Sequence, residues 1–273
     1  MMNASDFFDS QFGNYYDLPA WRSRRFGAAT DFIFDRNLQW MRANRALSAE
    51  AARHPKRKIL IAGVDVPSRT HDLKNLMLAL SRSRHEVVTM PAPLREGLGK
   101  FQNINACLKN VRVEDYDWLI VIDDDIALPK LFLDRFICMA ERANLSVCQP
   151  AHRFRSHQSY EITQRRWNSL ARVTHFVESG PFTAFHRRMF ACLLPFPDLR
   201  WAWGTDVLWS EMARRENLLA GIVDATPIEH LRPVAGSYNG RLAREEGTIF
   251  LQEAGVNRSR REILQTVQVI SNI

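Results

Sequence analysis

From Lys56 onward the chain alternates between short apolar runs and stretches with helical spacing, and few folds accept that rhythm. "KILIAGVDV" (58–66), "HEVVTMPAP" (85–93), "DWLIVID" (117–123) and "LSVCQPA" (145–151) read as buried strands. Between them Leu73, Leu76, Met77 and Leu80, then Ile104, Cys107, Leu108 and Val111, then Leu133, Phe136, Ile137 and Ala140 recur at i, i+3, i+4, i+7, the spacing of one helix face. Apolar strands bounded by helices imply a mostly parallel sheet covered on both sides, so the predicted class is α/β and Rossmann-like.

Three segments follow from this rhythm. Residues 1–55 form an appendage, because ten of the 28 aromatic residues fall before position 41, interleaved with Arg22, Arg24, Arg25, Arg36 and Arg42. The plainer reading is an arm packed on the main domain; the other is a peripheral contact with a membrane surface. Residues 56–240 form the main domain, and residues 241–273 read as a closing helical segment packed on it. Within the domain, Thr205 is positioned to cap a helix, and residues 152–173 read as a long loop beside a site, where Arg153, Arg155, Arg165 and Arg166 are placed to close over phosphate oxygens.

The net charge of +7 suggests an anionic partner, yet only six of the 37 basic residues are lysines and the arginines are spread over the whole chain. Nucleic acid is not an expected partner; a phosphate-bearing small molecule fits the charge as well. Cys107, Cys138, Cys148 and Cys192 contain no CxxC pair and sit among apolar neighbours, as reduced thiols do, and no apolar stretch approaches the roughly 20 residues that cross a bilayer. The expected location is the cytoplasm, peripheral at the inner membrane face if residues 1–55 touch lipid.

The chemistry concentrates at "DYDWLIVIDDDIALP" (115–129), where three acids follow the most apolar run of the chain. In extended backbone, residues i and i+2 point to one side, so Asp123 and Asp125 converge while Asp124 faces the other way. Paired carboxylates suit Mn2+ or Mg2+, which complete their shells with water and substrate phosphates. Open parallel sheets place ligands beyond the carboxyl ends of their strands, where this triplet lies. The plainer alternative is an acidic turn capping the helix that starts near Pro129.

Around the triplet, "GLGKFQNINACLKNVRVEDYDWLIVIDDDIALP", "SGPFTAFHRRMF" and "DLRWAWGTDVLWSEMARRENLLAGIVDATPIEHL" follow one another in an order and spacing that resembles the GT-A-fold glycosyltransferases across residues 56–232. The likeness is greatest to their large inverting family of bacterial polysaccharide and lipopolysaccharide enzymes. That resemblance implies a GT-A-type fold, a bound divalent cation, a nucleotide-sugar donor and a hydroxyl-bearing glycan or lipid-linked acceptor. Asp125 would ligate the metal, and Asp123 would meet the nucleotide ribose or metal-bound water. Asp124 would lie beside the donor, His230 would reach the diphosphate or its metal, and Asp206 would be the catalytic base.

Further roles rest on position. Asp65 and Arg69, at the tip of the first strand, are nucleotide neighbours, Lys100 and Asn103 face the sugar or phosphates, and Trp201, Trp203, Gly204 and Thr205 form the acceptor side. Each has a plainer reading: His230 bonded to backbone, Asp206 a helix cap, Lys100 and Asn103 a loop lysine and a helix-start asparagine. Two departures from the family pattern stand out. The first strand ends "VDVPSRTHD" without the usual proline, aromatic and Asn-Glu pair, and Thr205-Asp206 offers one carboxylate where two are usual.

The reading is a metal-dependent, inverting glycosyltransferase. A nucleotidyltransferase shares the sheet and the metal acids, but its glycine-rich loop belongs after the first strand, where "GVDVPSRTHD" has one glycine. An aspartyl-phosphate phosphatase would carry Thr or Val where this chain has Ala127. The non-enzymatic alternative is a basic module that docks on nucleic acid or membrane through residues 1–55.

Overall fold

The computed structural model describes residues 7–8, 20–233 and 239–272. Phe12, Tyr15 and Tyr16 lie outside the described residues, as do positions 234–238. In chain order the elements are α1 (Ala20–Trp40), α2 (Arg42–Ala51), β1 (Lys58–Asp65), α3 (Thr70–Ser81), β2 (Glu86–Pro93), α4 (Lys100–Leu108), β3 (Trp118–Ile122), β4 (Ile126–Ala127) and α5 (Phe132–Arg142). They continue with β5 (Leu145–His152), β6 (Ala171–Thr174), β7 (Phe182–His186), α6 (Phe190–Leu193), α7 (Thr205–Arg215), β8 (Leu219–His230), α8 (Gly240–Glu253), α9 (Arg260–Ile263) and β9 (Thr266–Ile270).

One sheet runs β2-β1-β3-β7-β5-β8-β6-β9, with β4 paired to β8 off this path. β1 is parallel to β2 and β3, and β5 is parallel to β8, whereas β7 runs against β3 and β5, and β6 runs against β8 and β9. The sheet is therefore mixed: every strand on the path points one way except β7 and β6. Insertion of β7 between β3 and β5 has a direct consequence for the site. It brings the start of β7 against the end of β3, where Asp123 N–H donates to the Pro181 carbonyl at 2.8 Å.

Side-chain alternation along the inner strands feeds two cores. Ile59, Ile61, Trp118, Ile120 and Ile122 face the layer with α2, α3 and α5, while Leu60, Ala62, Leu119 and Val121 face the layer with α4, α6 and α7. Burying one such side chain contributes about 1.5–3 kcal/mol, so a charge at Ile120 would break both this layer and the strand order it fixes. Two predicted helix faces are in place: Leu73, Leu76, Met77 and Leu80 of α3, and Leu133, Phe136, Ile137 and Ala140 of α5, are all buried. The third outruns its helix, since α4 ends at Leu108 and Val111 lies beyond it.

Four expectations are corrected. Thr205 does not cap α7; Gly204 does, at φ +91°, and the Thr205 hydroxyl donates to the Ala202 carbonyl at 2.7 Å. Residues 266–270 form a strand that closes the sheet edge, not a helix, because the alternation in "TVQVI" pairs with β6. Residues 42–51 belong to the main body, since Leu47 and Ala51 join the core.

The fourth correction concerns residues 152–173, which are pinned rather than free. Arg165 pairs with Asp31 and Asp35 of α1 at 3.2 and 2.8 Å, Arg153 with Asp35 at 2.9 Å, and Arg155 with Glu229 at 2.6 Å. Their guanidinium groups are committed to carboxylates, which removes them from the diphosphate role.

Candidate active site

A cleft of about 520 Å³ opens at the carboxyl ends of β1, β2 and β3. Val64, Val66 and Leu94 line it from the ends of β1 and β2, the three aspartates from the end of β3, and Glu178, Trp201, Trp203 and Asp206 from the later half of the chain.

The acid triplet divides its work. Lys100 Nζ lies 2.7 Å from Asp123 Oδ1 and donates to the Gly180 carbonyl at 3.1 Å, which ties α4 to both sides of the cleft. Asp124 is held by Arg69 at 2.9 Å and Arg232 at 3.1 Å. Burial outweighs those two cations and raises its pKa, and its Oδ2 is a buried atom without a hydrogen-bond partner. Asp125 Oδ2 faces His230 Nε2 at 3.3 Å.

The last pair follows from local structure. Ile126 of β4 sits opposite His230 of β8, and Leu231 N–H donates to the Asp125 carbonyl at 2.9 Å, so a two-residue ladder sets acid beside imidazole. His230 Nδ1 lies 3.3 Å from the His157 carbonyl, which makes Nδ1 the protonated nitrogen and directs the Nε2 lone pair at Asp125. A lone pair and a carboxylate facing each other this closely need a proton or a cation between them.

Burial pushes Asp125 upward, but the hydrogen bond and charge of His230 outweigh it and hold the carboxyl below its ordinary value. Burial likewise opposes protonation of His230, yet Asp125 and Asp123 hold its pKa above the usual imidazole range.

The donor set fits a divalent ion. A histidine whose other nitrogen is tied to a backbone carbonyl, beside a carboxylate at a cleft floor, is the arrangement metal ligands adopt, and mixed N and O donors suit Mn2+ better than Mg2+. No cluster of three or more His, Cys, Asp or Glu side chains positioned for a metal occurs among the described residues, so an ion here would take Asp125 and His230 from the protein and its remaining positions from water and substrate.

Across the cleft, Asp206 lies in the first turn of α7, 6% exposed, with its Oδ1 accepting from the Val207 N–H at 2.9 Å. Burial, and after the opposing Val207 hydrogen bond the nearby Glu178 charge, push it up to about 7. Glu178 sits at the bottom of the same wall, its own pKa raised by burial, 3.6 Å from His152, which burial and the charge of His230 bring down to about 3. Glu178 thus places a second carboxylate near Asp206 on this wall. Sequence reasoning missed it, although it stands directly before the quoted "SGPF"; the reversed direction of β7 carries it to the site.

No protein-family model matches the chain, and no curated protein matches it in sequence. Solved structures do match in fold. One is S. aureus TarS 1-349 in complex with UDP-GlcNAc, at 13% identity and TM-score 0.46, covering 68% of this chain and 62% of that one. Another is GalNAc-T7 with UDP, GalNAc and Mn2+, at 10% identity and TM-score 0.43, covering 68% of this chain and 45% of that one. These neighbours are GT-A-type glycosyltransferases. The chain spans less than two thirds of the length of either.

The cleft gathers Arg69, Lys100, Asp123, Asp124, Asp125 and His230, with Trp201, Trp203 and Asp206 facing them. Other expected residues serve structure instead. Asp65 accepts from the Thr70 hydroxyl at 2.5 Å and secures the turn into α3. Asn103 lines the cleft, but its side chain accepts from Arg95 N–H and donates to the Gly99 carbonyl, at 2.9 and 2.8 Å, bracing the loop before α4.

Gly204 and Thr205 sit beneath the acceptor wall rather than on it: Thr205 is fully buried, and a side chain at Gly204 would meet Phe250 and Leu251 at 3.2 and 3.1 Å. Besides Glu178, two charged residues lay outside the sequence reading: Arg200, which lines the cleft, and Arg232, which pairs with Asp124. Arg232 directly follows the quoted "EHL", and Arg200 was quoted in "DLRWAWG" without a role.

Proposed function

We propose that the cleft binds a nucleotide-sugar donor and that the protein is a metal-dependent, inverting glycosyltransferase acting on a hydroxyl of a glycan or lipid-linked acceptor. The observation that carries this reading is the Asp125–His230 pair at 3.3 Å on one side of a single cleft, with the buried, elevated Asp206 on the other. Asp125 and His230 would hold Mn2+. When bound, the ion offsets the negative charge that grows on a departing diphosphate.

The chain's own residues supply the rest. Lys100, Arg69, Arg200 and Arg232 surround the acids with positive charge, which keeps the cleft open to a phosphate-bearing ligand. Trp201 and Trp203 give a sugar ring apolar faces to stack on, one each side of Ala202.

In transfer, the acceptor oxygen bonds to the anomeric carbon as the bond from that carbon to the diphosphate oxygen breaks, and the hydroxyl proton passes to the Asp206 carboxylate. A base whose pKa lies near 7 suits that step, since it is ionised at working pH and retains proton affinity. Attack from the Asp206 side with departure toward Asp125 inverts the anomeric centre.

The test is a melting-temperature screen of nucleoside diphosphates with and without Mn2+, in the native protein and in Asp125→Ala. Mn2+-dependent stabilisation that vanishes in the variant is expected. Equal nucleotide stabilisation in both proteins removes the metal role, and none in either removes the donor site.

A further inference from the structure

Helix α1 is turned inside out. Its only acids, Asp31 and Asp35, face inward to Arg165 and Arg153, and Asp31 is 1% exposed. Four of its large apolar side chains face outward, Phe26, Phe32, Ile33 and Trp40 being between 56% and 70% exposed, while Phe34 packs on Phe154 and Trp167 and Leu38 on the core. At helical spacing these four share one side with Arg25 and Arg36, and Arg36 lies over the Trp40 ring at 5.8 Å. No acid interrupts this outer face.

A water-facing helix in a folded chain shows the opposite pattern. Buried ion pairs that hold α1 by its polar side leave the apolar side permanently displayed, so the fold maintains this face rather than merely tolerating it. Aromatic residues flanked by arginine, with no carboxylate among them, complement a surface that is apolar below and negative above.

We infer that the outer face of α1 docks on an anionic lipid bilayer, with Phe26, Phe32, Ile33 and Trp40 entering the headgroup boundary and Arg36 meeting lipid phosphates. No helix among the described residues is long and apolar enough to cross a membrane, so the contact is interfacial.

The location ties docking to the cleft. Gly27 of α1 lies so close to Arg155 that an added Cβ would meet its backbone at 2.8 Å. Arg155 is bonded to Glu229, the residue before His230. Arg24, at the same end of α1, is near enough to His157 to lower its pKa, second to burial and His230. Docking through α1 therefore sets the His230 end of the cleft next to the lipid surface, where a lipid-linked acceptor would be presented. That last consequence rests on the proposed transferase reading; the docking itself does not.

The experiment is co-sedimentation of the full chain, without nucleotide, on vesicles of phosphatidylcholine alone and of phosphatidylcholine mixed equally with phosphatidylglycerol. Binding to the mixed vesicles that weakens with salt is expected, with little binding to the neutral ones. Phe32→Ser with Ile33→Ser should weaken it about tenfold or more, and Arg36→Glu should abolish the preference for negative lipid.

Leu78→Ser, at an exposed apolar position on α3, should bind like the parent. Absence of vesicle binding, equal binding to both lipids, or equal loss in Leu78→Ser would overturn the inference. So would light scattering that shows a dimer which the Phe32/Ile33 variant dissolves, because a second copy would then cover the face. Nucleotide binding in the same variants should stay at the parental level, which separates this outcome from any failure of the transferase reading.

Discussion

Asp206→Asn isolates the energetic cost of keeping a carboxylate buried for catalysis. Asparagine has the same shape and can still accept the Val207 N–H bond through Oδ1, but it carries no titrating proton. In the native fold Asp206 sits near pKa 7 against an ordinary value of 3.8, so the folded state binds the proton more tightly than the unfolded chain does. The resulting penalty is absent below the ordinary pKa, grows as pH rises, and levels off once pH passes the folded value.

With those two values, linkage gives a penalty of roughly 2 kcal/mol at pH 5 and roughly 4 kcal/mol at pH 8. The variant should therefore gain stability over the parent by about 2–3 kcal/mol more at the higher pH, several degrees in melting temperature for a chain of this size. Scanning calorimetry of both proteins across that range reads the difference directly: groups remote from Asp206 cancel, and Glu178, whose charge couples to it, shifts the difference in the same direction. The same variant should lose transfer while still binding nucleoside diphosphate, and the parent's turnover should rise with pH through about 7. Parallel melting-temperature curves for the two proteins would refute the elevated pKa, and full turnover in the variant would refute the base.

The remaining predictions concern the walls of the cleft. Lys100→Met should raise the donor KM by about tenfold or more with a smaller change in kcat, because a charge-assisted contact to a diphosphate contributes roughly 1.5–3 kcal/mol; steady-state kinetics with varied donor checks it. Arg165→Met leaves Asp31 buried without its cation and should cost roughly 3–5 kcal/mol in chemical denaturation, a loss below about 1 kcal/mol counting against the pinning of α1. Gly99→Ala puts a Cβ within 1.9 Å of the Arg200 carbonyl; the shift needed should cost about 1–3 kcal/mol and weaken nucleotide binding, measurable by calorimetric titration.

What could be read in advance, and what could not, divides along physical lines. Helix faces such as Leu133, Phe136, Ile137 and Ala140 announce themselves because periodicity is a local property. The apolar runs announce strands, but an apolar run has no direction, so the reversal of β7 and β6 was invisible, and with it the placement of Glu178. Asp125 and His230 were legible as separate candidates through the triplet and the family resemblance; their contact depends on a two-residue ladder too short to leave a pattern.

The four loop arginines failed for a related reason. Arginine's fork fits phosphate and carboxylate alike, and the acids that hold three of them lie far off in sequence, Asp31 and Asp35 for Arg165 and Arg153 and Glu229 for Arg155. For Arg166 the structure shows only its backbone N–H on Asp224. Asn103 illustrates the opposite hazard, a polar residue at the site whose capacity is already consumed by the loop it braces.

The ladder between β4 and β8 carries one more implication. It joins Ile126 to His230 across more than a hundred intervening residues, and β8 is also the strand on which β5 and β6 close. A chain still emerging from the ribosome therefore has its aspartates long before it has the Asp125–His230 pair. On the proposed reading, affinity for the ion would arrive only when the C-terminal half has folded against the N-terminal half, so occupancy of the pair would report, and reward, completion of the whole sheet.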